Sequence, residues 1–297
     1  MISGYFITIL TTIAIYAILA HSLNIITGHA GQISLGHAAF FGIGAYTSAL
    51  LYTEANLPFW LSVPLAAVTA GIIGAILGIP CLRVRDDFLA ITTMGINFVV
   101  EAIFLYIPFF GGAMGIGGMN LPGWLGREMT KIEYFVLILV VFFFLLLLDH
   151  KLGRSWIGLA WASIREDEQA AEAMGVDVVR FKVLAFILGS AIAGLAGGFY
   201  AHFLTFIMPQ NFGFPLSIMI LSMVVFGGIG TRWGPLLGAV ILGVLPEVSR
   251  PIMEYRTFVY GILLMFMMRF QPEGLLGSGS ILATTFRRVV ARPSNLG

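Results

Sequence analysis

The sequence predicts an all-α polytopic membrane protein with about 8–10 transmembrane helices. Hydrophobic residues make up 59% of the 297 positions and charged residues only 10%. A soluble globule would need far more polar cover to bury so much apolar surface. Several apolar runs reach the roughly 20 residues that a helix needs to cross the hydrocarbon core, and no strand-like alternation of apolar and polar residues competes with them.

One of the apolar runs is broken. The first run, 5–26, is too long for the core of a signal peptide and has no basic leader, so we expect it to remain as a span. The run 29–51 is interrupted by glycines and by Gln32, Ser34 and His37. We expect a broken or re-entrant helix here, because irregular backbone at membrane depth is tolerated only where protein or a water-filled cavity satisfies it. The remaining predicted spans are 57–79, 88–110, 132–148, 183–206, 214–229, 236–248 and 258–270.

Lysine and arginine indicate the orientation, since they concentrate in cytoplasmic loops. If the loop 149–182 is cytoplasmic, twelve of the 16 basic residues lie inside. The broken run counted as a full span gives nine spans with the N-terminus outside, and counted as re-entrant it gives eight with the N-terminus inside. The sequence therefore predicts one transmembrane domain over 1–297, with a cytoplasmic loop at 149–182 and a cytoplasmic basic tail at 271–297.

The loop carries the densest polar patch of the chain, at 163–182. Ser163 followed by Glu166 fits a capping box and predicts the start of a short helix, and Gly175 predicts a left-handed exit. A helix of about three turns is not stable alone, so another part of a protein must hold it. Asp177 is predicted to cap a second helix that runs into the next span. One face of the short helix carries the small apolar side chains of Ala170, Ala173 and Met174.

Polar residues inside the spans are candidates for a translocation path. Glu101 and Asn97 lie one helical turn apart, and an ionisable side chain within a span usually faces the bundle interior or a wet path. A structural clamp between helices is the alternative. In the broken run, Gln32, Ser34 and His37 contact either a solute or the freed backbone.

Glycine-rich segments occur in both halves of the chain. The run 226–243 repeats the glycine rhythm of 28–44, which is the pattern that an inverted repeat leaves, with a solute path near the meeting point. The alternative is that both are packing helices. The total of 36 glycines predicts close helix crossings in either case.

Several classes of function are excluded by missing motifs. The chain has no GxxxxGK[ST], HExxH or GxSxG, so we predict no catalytic residue, no ATP hydrolysis by that route and no metal site. Its one cysteine, Cys81, excludes an internal disulfide. No basic run interleaved with aromatic residues suggests nucleic-acid binding.

Six segments in order resemble the M-type permease subunit of branched-chain amino acid ABC importers. The resemblance implies a type II importer-like fold with inverted repeats, and a non-enzymatic permease. It also implies that the helix at 163–175 is the coupling helix on which an ATPase docks. The six segments are 31–51, 92–99, 110–118, 166–182, 182–201 and 226–239. The coupling residues that the resemblance implies are Arg165, Glu166, Glu168, Ala170, Ala171, Glu172, Ala173, Met174 and Gly175.

The same resemblance implies partners and a location. We expect a heterodimer with a second permease, two cytoplasmic ATP-binding subunits that hold ATP and Mg²⁺, and an extracytoplasmic substrate-binding protein that delivers leucine, isoleucine or valine. The chain itself would hold no cofactor, and it would lie as a multi-pass protein in a bacterial or archaeal plasma (inner) membrane. Two alternatives stay open: a urea or short-amide permease of the same family, and an ion-coupled secondary transporter that uses Glu101 and His37.

Overall fold

The computed structural model describes residues 4–81, 86–124 and 127–248, together with 258, 261–262, 265–266, 269–270 and 274–277. Helices dominate this part of the chain, which confirms the all-α prediction. The α-helices are α1 (Gly4–Asn24), α2 (His37–Thr53), α3 (Phe59–Cys81), α4 (Asp86–Tyr106), α5 (Lys131–Gly153), α6 (Trp156–Glu166), α7 (Glu168–Ala173), α8 (Val178–Leu204), α9 (Phe214–Gly227) and α10 (Gly234–Val248).

Short elements connect these helices. A π-helical turn, Ile25–His29, continues α1, and 3₁₀ turns cover Pro108–Phe110, Gly112–Met114 and Pro209–Phe212. Two small antiparallel pairs lie in the connections. Strand β1 (Ile116–Gly117) pairs with β4 (Phe206–Ile207), and β2 (Gly123–Trp124) pairs with β3 (Arg127–Glu128).

Six helical segments in the described part of the chain are long and apolar enough to cross a membrane. The helices α2 and α10 are shorter, with 17 and 15 residues. Only seven of the 13 residues in the predicted span 258–270 are described, so the total number of spans stays a prediction. The six segments are Gly4–His29, Phe59–Ile79, Phe88–Tyr106, Lys131–Gly153, Val178–Leu204 and Pro209–Gly227.

The helices α1 and α5 run parallel. Lys131 Nζ, at the start of α5, donates to Thr8 Oγ1 near the start of α1 (3.5 Å). His29, where the first span ends, contacts Asp149 near the end of α5 (2.8 Å). The N-terminal end of α1 therefore lies on the side of the membrane domain opposite the loop 149–182. Of the two topologies left open by the sequence, the structure has the one with the N-terminus and the loop on opposite sides.

The core forms where α8 packs between α2 and α3. A Cβ at Gly44 would collide with the backbone of Gly194, and one at Gly197 would lie 2.7 Å from Ala45 N. Backbones approach this closely only where both helices present small residues. The predicted close crossings are thus present, and they bury the inner faces of all three helices.

The predicted break in the run 29–51 is confirmed. The first span ends in the π-helical turn, and residues 30–36 cross to α2 without regular structure. Gly31 has a φ of +73°, a conformation that favours glycine. Leu35 N donates to Thr93 Oγ1 on α4 (2.9 Å), so α4 supplies one partner for the freed backbone.

The region predicted as a basic tail, 271–297, is largely outside the described residues, but 274–277 is not a free tail. Leu275 N and Leu276 N donate to the carbonyl oxygens of Phe226 and Gly227, at 3.0 and 3.1 Å. These are end carbonyls of α9, which lack partners within the helix. Residues 275 and 276 therefore cap the C-terminal end of α9.

Candidate functional site

The broken segment is fastened to α1 through His37, the first residue of α2. Ser22 Oγ donates to Leu19 O (2.6 Å) and lies 2.6 Å from His37 Nε2. A hydroxyl has one proton to give, so His37 Nε2 donates to Ser22 and the ring carries its proton there. Nδ1 of His37 has no hydrogen-bond partner among the described residues. This side chain joins two helices and keeps an acceptor available inside the domain.

Asn97 on α4 joins the same junction from the other side. It is fully buried, its Oδ1 accepts from Ser217 Oγ (3.2 Å), and its Nδ2 donates to Phe212 O (3.4 Å). Ser217 in turn accepts from Ala38 N at the start of α2 (3.0 Å). The structure therefore brings His37 and Asn97, 60 residues apart in the chain, to one polar junction of α1, α2, α4 and α9.

Two of the predicted path residues lie in the break itself. Gln32 and Ser34 are buried, and neither side chain has a hydrogen-bond partner within the described parts of the chain. Thr27, in the π-helical turn, is in the same situation. Polar groups without partners are costly in the interior of a membrane protein. Together with Nδ1 of His37, these groups lie within residues 27–37. In the described membrane domain, the break is therefore where most of the buried polar groups without hydrogen-bond partners are found.

Glu101 lies within its span as predicted, but nearer the end of the helix than the predicted bounds gave. The predicted span continued to Phe110, but α4 ends at Tyr106, with Pro108 opening a 3₁₀ turn. The carboxylate is half-buried and lies against Gly213, where a Cβ would be 3.2 Å from either oxygen. Gly213 is the N-cap of α9, so the negative charge faces the positive end of a helix dipole.

A cavity of about 550 Å³ lies between α2, α3 and α4. Its lining is mostly apolar, and its polar side chains are those of Tyr46, Thr47 and Thr92. Neither Asn97 nor Glu101 lines it. The predicted path residues thus face α9, on another side of α4 from this cavity.

The loop helix begins later than the capping-box pattern predicted. Ser163 lies inside α6, and its Oγ donates to Ala160 O (2.8 Å) instead of capping a helix. Asp167 is the N-cap of α7, and its Oδ1 accepts from Ala170 N (3.0 Å). The helix predicted at 163–175 is therefore two helices with Asp167 between them, because Ser163 follows a run that is already helical. Gly175 has the predicted left-handed conformation, with a φ of +87°.

The alanines of α7 are divided between the inside and the outside. Ala171 is only 4% exposed and packs with Ile164 and Val178 in a small apolar cluster. It was predicted as a docking residue, but it holds α7 to the domain. Ala170 and Ala173 are exposed, and Met174 is 85% exposed.

Some charged residues of the loop bond to other parts of the chain, and others are exposed. Glu168 accepts from Lys182 Nζ (2.5 Å), and Lys182 is only 7% exposed, so α7 is tied to the first turns of α8. Asp177 caps α8 as predicted, accepting from Arg180 N (3.1 Å). Arg165 reaches the membrane domain and donates to Gly28 O. Glu166 and Glu172 are exposed and, with Ala170, Ala173 and Met174, remain available to a partner.

Several buried polar residues at this end of the domain were not predicted from the sequence as parts of the site. Asn24 is buried and bonds the turn between α9 and α10. Asp149 is buried near the end of α5, with His29 at 2.8 Å and His21 at 3.7 Å. The sequence did carry a signal for Asn24, which lies next to the glycine-rich break. A side-chain amide at such a place can bond backbone N–H and C=O groups that have no partner within a helix. No comparable signal pairs Asp149 with histidines more than 100 residues away.

Comparison with known proteins gives the family. A family model described as branched-chain amino acid transport system, permease component, matches residues 5–268. No solved structure matches the chain.

Two kinds of permease appear among the relatives. The high-affinity branched-chain amino acid transport system permease protein LivM of Salmonella typhimurium is 35% identical over 93% of this chain and 71% of its own length. LivM of Escherichia coli is 34% identical with the same coverage. LivH of Salmonella typhimurium, a permease protein of the same named system, is 27% identical over 88% of this chain and 91% of its own length. The chain therefore belongs to the permease family of branched-chain amino acid ABC importers, as an M-type member and a multi-pass protein of the plasma membrane.

Proposed function

We propose that this chain moves branched-chain amino acids across the membrane, driven by separate ATP-binding subunits that dock on α7. The observation that carries the proposal is the exposed face of Ala170, Ala173 and Met174 on a helix that is held firmly to α8. A small apolar helix face suits insertion into a groove of a partner. A helix of six residues with no partner would otherwise be marginal.

Three further partners follow from this role. LivM and LivH of Salmonella typhimurium are named for one transport system, which supports a second, different permease beside this chain. An extracytoplasmic binding protein delivers leucine, isoleucine or valine. ATP and Mg²⁺ belong to the ATP-binding subunits, because this sequence has no GxxxxGK[ST] phosphate-binding motif, and we expect this chain to hold no cofactor of its own.

The solute route passes the junction at the break. Gln32, Ser34 and His37 offer buried hydrogen-bonding groups without protein partners in the described chain. A zwitterionic amino acid needs such groups when it leaves water, because unpaired polar groups are costly in a membrane interior. Glu101 continues the route along α4, where Asn97 fastens α4 to the turn before α9.

The docking part of the proposal is tested by Ala173→Arg. The long charged side chain should block insertion of α7 into a groove, so the ATP-binding subunits should no longer copurify, while the variant still inserts into the membrane. Ala55→Arg is the matched control, since Ala55 is also exposed but follows α2, at a distance from the loop. Normal copurification with Ala173→Arg would refute α7 as the docking helix.

The substrate is tested separately in proteoliposomes that contain the whole importer. Labelled leucine, isoleucine and valine should accumulate only with ATP and the binding protein, and labelled urea or acetamide should not. Ion-driven uptake of any of these by the purified chain alone would refute an ATP-driven importer and would support the secondary-transporter alternative.

A further inference from the structure

Arg165 connects the loop to the membrane domain. The residue lies in the last turn of α6, and its Nη1 donates a 2.5 Å hydrogen bond to the carbonyl oxygen of Gly28. Gly28 belongs to the π-helical turn that ends the first span. Carbonyls at a helix end have no partner within the helix, so an arginine can satisfy this one. The stem of the side chain packs on Gly31, where a Cβ would lie 3.2 Å from Arg165 Cγ.

The same guanidinium also contacts the second half of the chain. A Cβ at Gly230, in the turn between α9 and α10, would collide with Arg165 Nη1, and it would lie 3.0 Å from Gly28 O. Arg165 therefore sits where the turn that follows α1 meets the turn that follows α9. These are the two glycine-rich segments that the sequence suggested as related parts of a repeat.

Asn24 fastens the two turns to each other. Its Nδ2 donates to Thr231 O (3.1 Å), and its Oδ1 accepts from Gly230 N (2.8 Å). Asn24 is fully buried, so water does not compete for these two bonds. The turns at 24–31 and 228–231 consequently form one unit, which we name the turn junction, and Arg165 is bonded to it from the loop side.

The contacts between α6 and α7 connect α7 to Arg165. Only Asp167 separates α6 from α7, and the two helices share the apolar cluster of Ile164, Ala171 and Val178. A displacement of α7 by a docked subunit therefore displaces the end of α6. Arginine suits the connection, because its planar guanidinium stays charged and its bonds are directional.

We propose that Arg165 is the positioning residue that transmits movement of α7 to the turn junction, and so to the break before α2 and to the turn between α9 and α10. This inference rests on the proposed function, since it presumes that ATP-binding subunits move α7. It differs from the docking role that the family resemblance gave to Arg165: the side chain contacts its own chain, and the partner acts on it through α7.

The test uses the complete importer in proteoliposomes, with uptake of labelled leucine and ATP hydrolysis measured on the same samples. We expect Arg165→Ala to lower uptake about tenfold while the ATP-binding subunits still copurify and still hydrolyse ATP, so that more ATP is used per leucine. Arg165→Lys keeps the charge but loses the planar donor geometry, and it should show a smaller loss in the same direction. Arg154→Ala is the matched control, because Arg154 is an exposed arginine at the end of α5.

Each outcome of this experiment either supports or overturns the proposed role of Arg165. Uptake within twofold of the unmodified importer for Arg165→Ala would overturn the proposal, and so would a parallel loss of uptake and hydrolysis in a fully assembled complex. If the importer with Arg165→Ala does not assemble, Arg165→Lys is tested in the same way. More ATP hydrolysed per leucine transported supports the proposal, and an unchanged ratio overturns it. Failure of the proposed function gives different results. It would appear as normal copurification of the ATP-binding subunits with Ala173→Arg, or as no leucine uptake by the unmodified complex.

Discussion

At the residue scale, the polar side chains inside the membrane domain divide into those that bond helices together and those that keep bonding groups available. Asn97 belongs to the first kind, since both ends of its amide are bonded to α9 and the turn before it. Gln32 and Ser34 belong to the second kind. The sequence showed that these residues are polar in apolar surroundings, but the division depends on partners that come from distant parts of the chain.

Replacement of Asn97 tests its clamp role. Asn97→Leu has nearly the same size but leaves the Ser217 hydroxyl and the Phe212 carbonyl without this partner, so we expect a loss of about 1–3 kcal/mol in the free energy of unfolding. The measurement is thermal unfolding of the purified protein in detergent. Glu101→Gln is the companion variant, and it should lower uptake with little change in stability. Equal stability of Asn97→Leu and the unmodified protein would contradict the clamp role.

At the scale of the elements, helix packing depends on glycine. The helices α2 and α8 approach at Gly44 and Gly194 so closely that a methyl group at Gly44 would overlap the opposite backbone. The sequence predicted such crossings from its glycine content but could not say which glycines meet. Gly95, in the middle of α4, shows the difference, since a Cβ there would meet nothing within 4 Å.

This contrast gives a matched pair of variants. We expect Gly44→Ala to destabilise the protein by about 1–3 kcal/mol, because the two helices must separate to make room. Gly95→Ala should be neutral or slightly stabilising, since alanine favours the helix and has space. Both changes add one methyl group to a helical glycine in the membrane domain, and thermal unfolding in detergent compares them. Equal unfolding temperatures for the two variants would contradict the close contact of α2 with α8.

At the scale of the whole molecule, the parallel course of α1 and α5 sets the topology. The end of the first span and the end of α5 meet at His29 and Asp149, on the side of the loop. The segment after α2 lies on the other side, because Trp60 Nε1 donates to Gly123 O in the connection before α5 (3.5 Å). If the loop is cytoplasmic, the connection between α2 and α3 lies outside the cell.

Labelling of single cysteines tests this orientation. In a variant with Cys81→Ser, we expect Ala55→Cys to react with a membrane-impermeant maleimide on intact cells lacking an outer-membrane barrier. Met174→Cys, which is 85% exposed in the native protein, should react only after the membrane is made permeable. Reaction of position 174 on intact cells would place α7 outside and would refute its docking to ATP-binding subunits.

Much of the fold was determined by local properties of the sequence. Apolar runs of sufficient length predicted the spans, and the structure has the described ones within a few residues. Polar and glycine residues at 29–37 predicted the break. Gly175 predicted the end of α7, and Asp177 predicted the start of α8. These features depend on composition, on helix length and on the bonding of the first and last turns, all of which lie within about 30 consecutive residues.

Only the tertiary structure decided what those local features contact. Ser163 and Asp167 both suit an N-cap, and the extent of α6 selects Asp167. Ala171 and Ala173 are the same residue type on one short helix, yet the position of Ile164 and Val178 turns one inward and leaves the other exposed. Arg165 meets Gly28 and Gly230 from 137 and 65 residues away. The sequence by itself determined where most of the helices lie, because apolar length and end capping are local properties, whereas burial and bonding depend on which distant helices pack together.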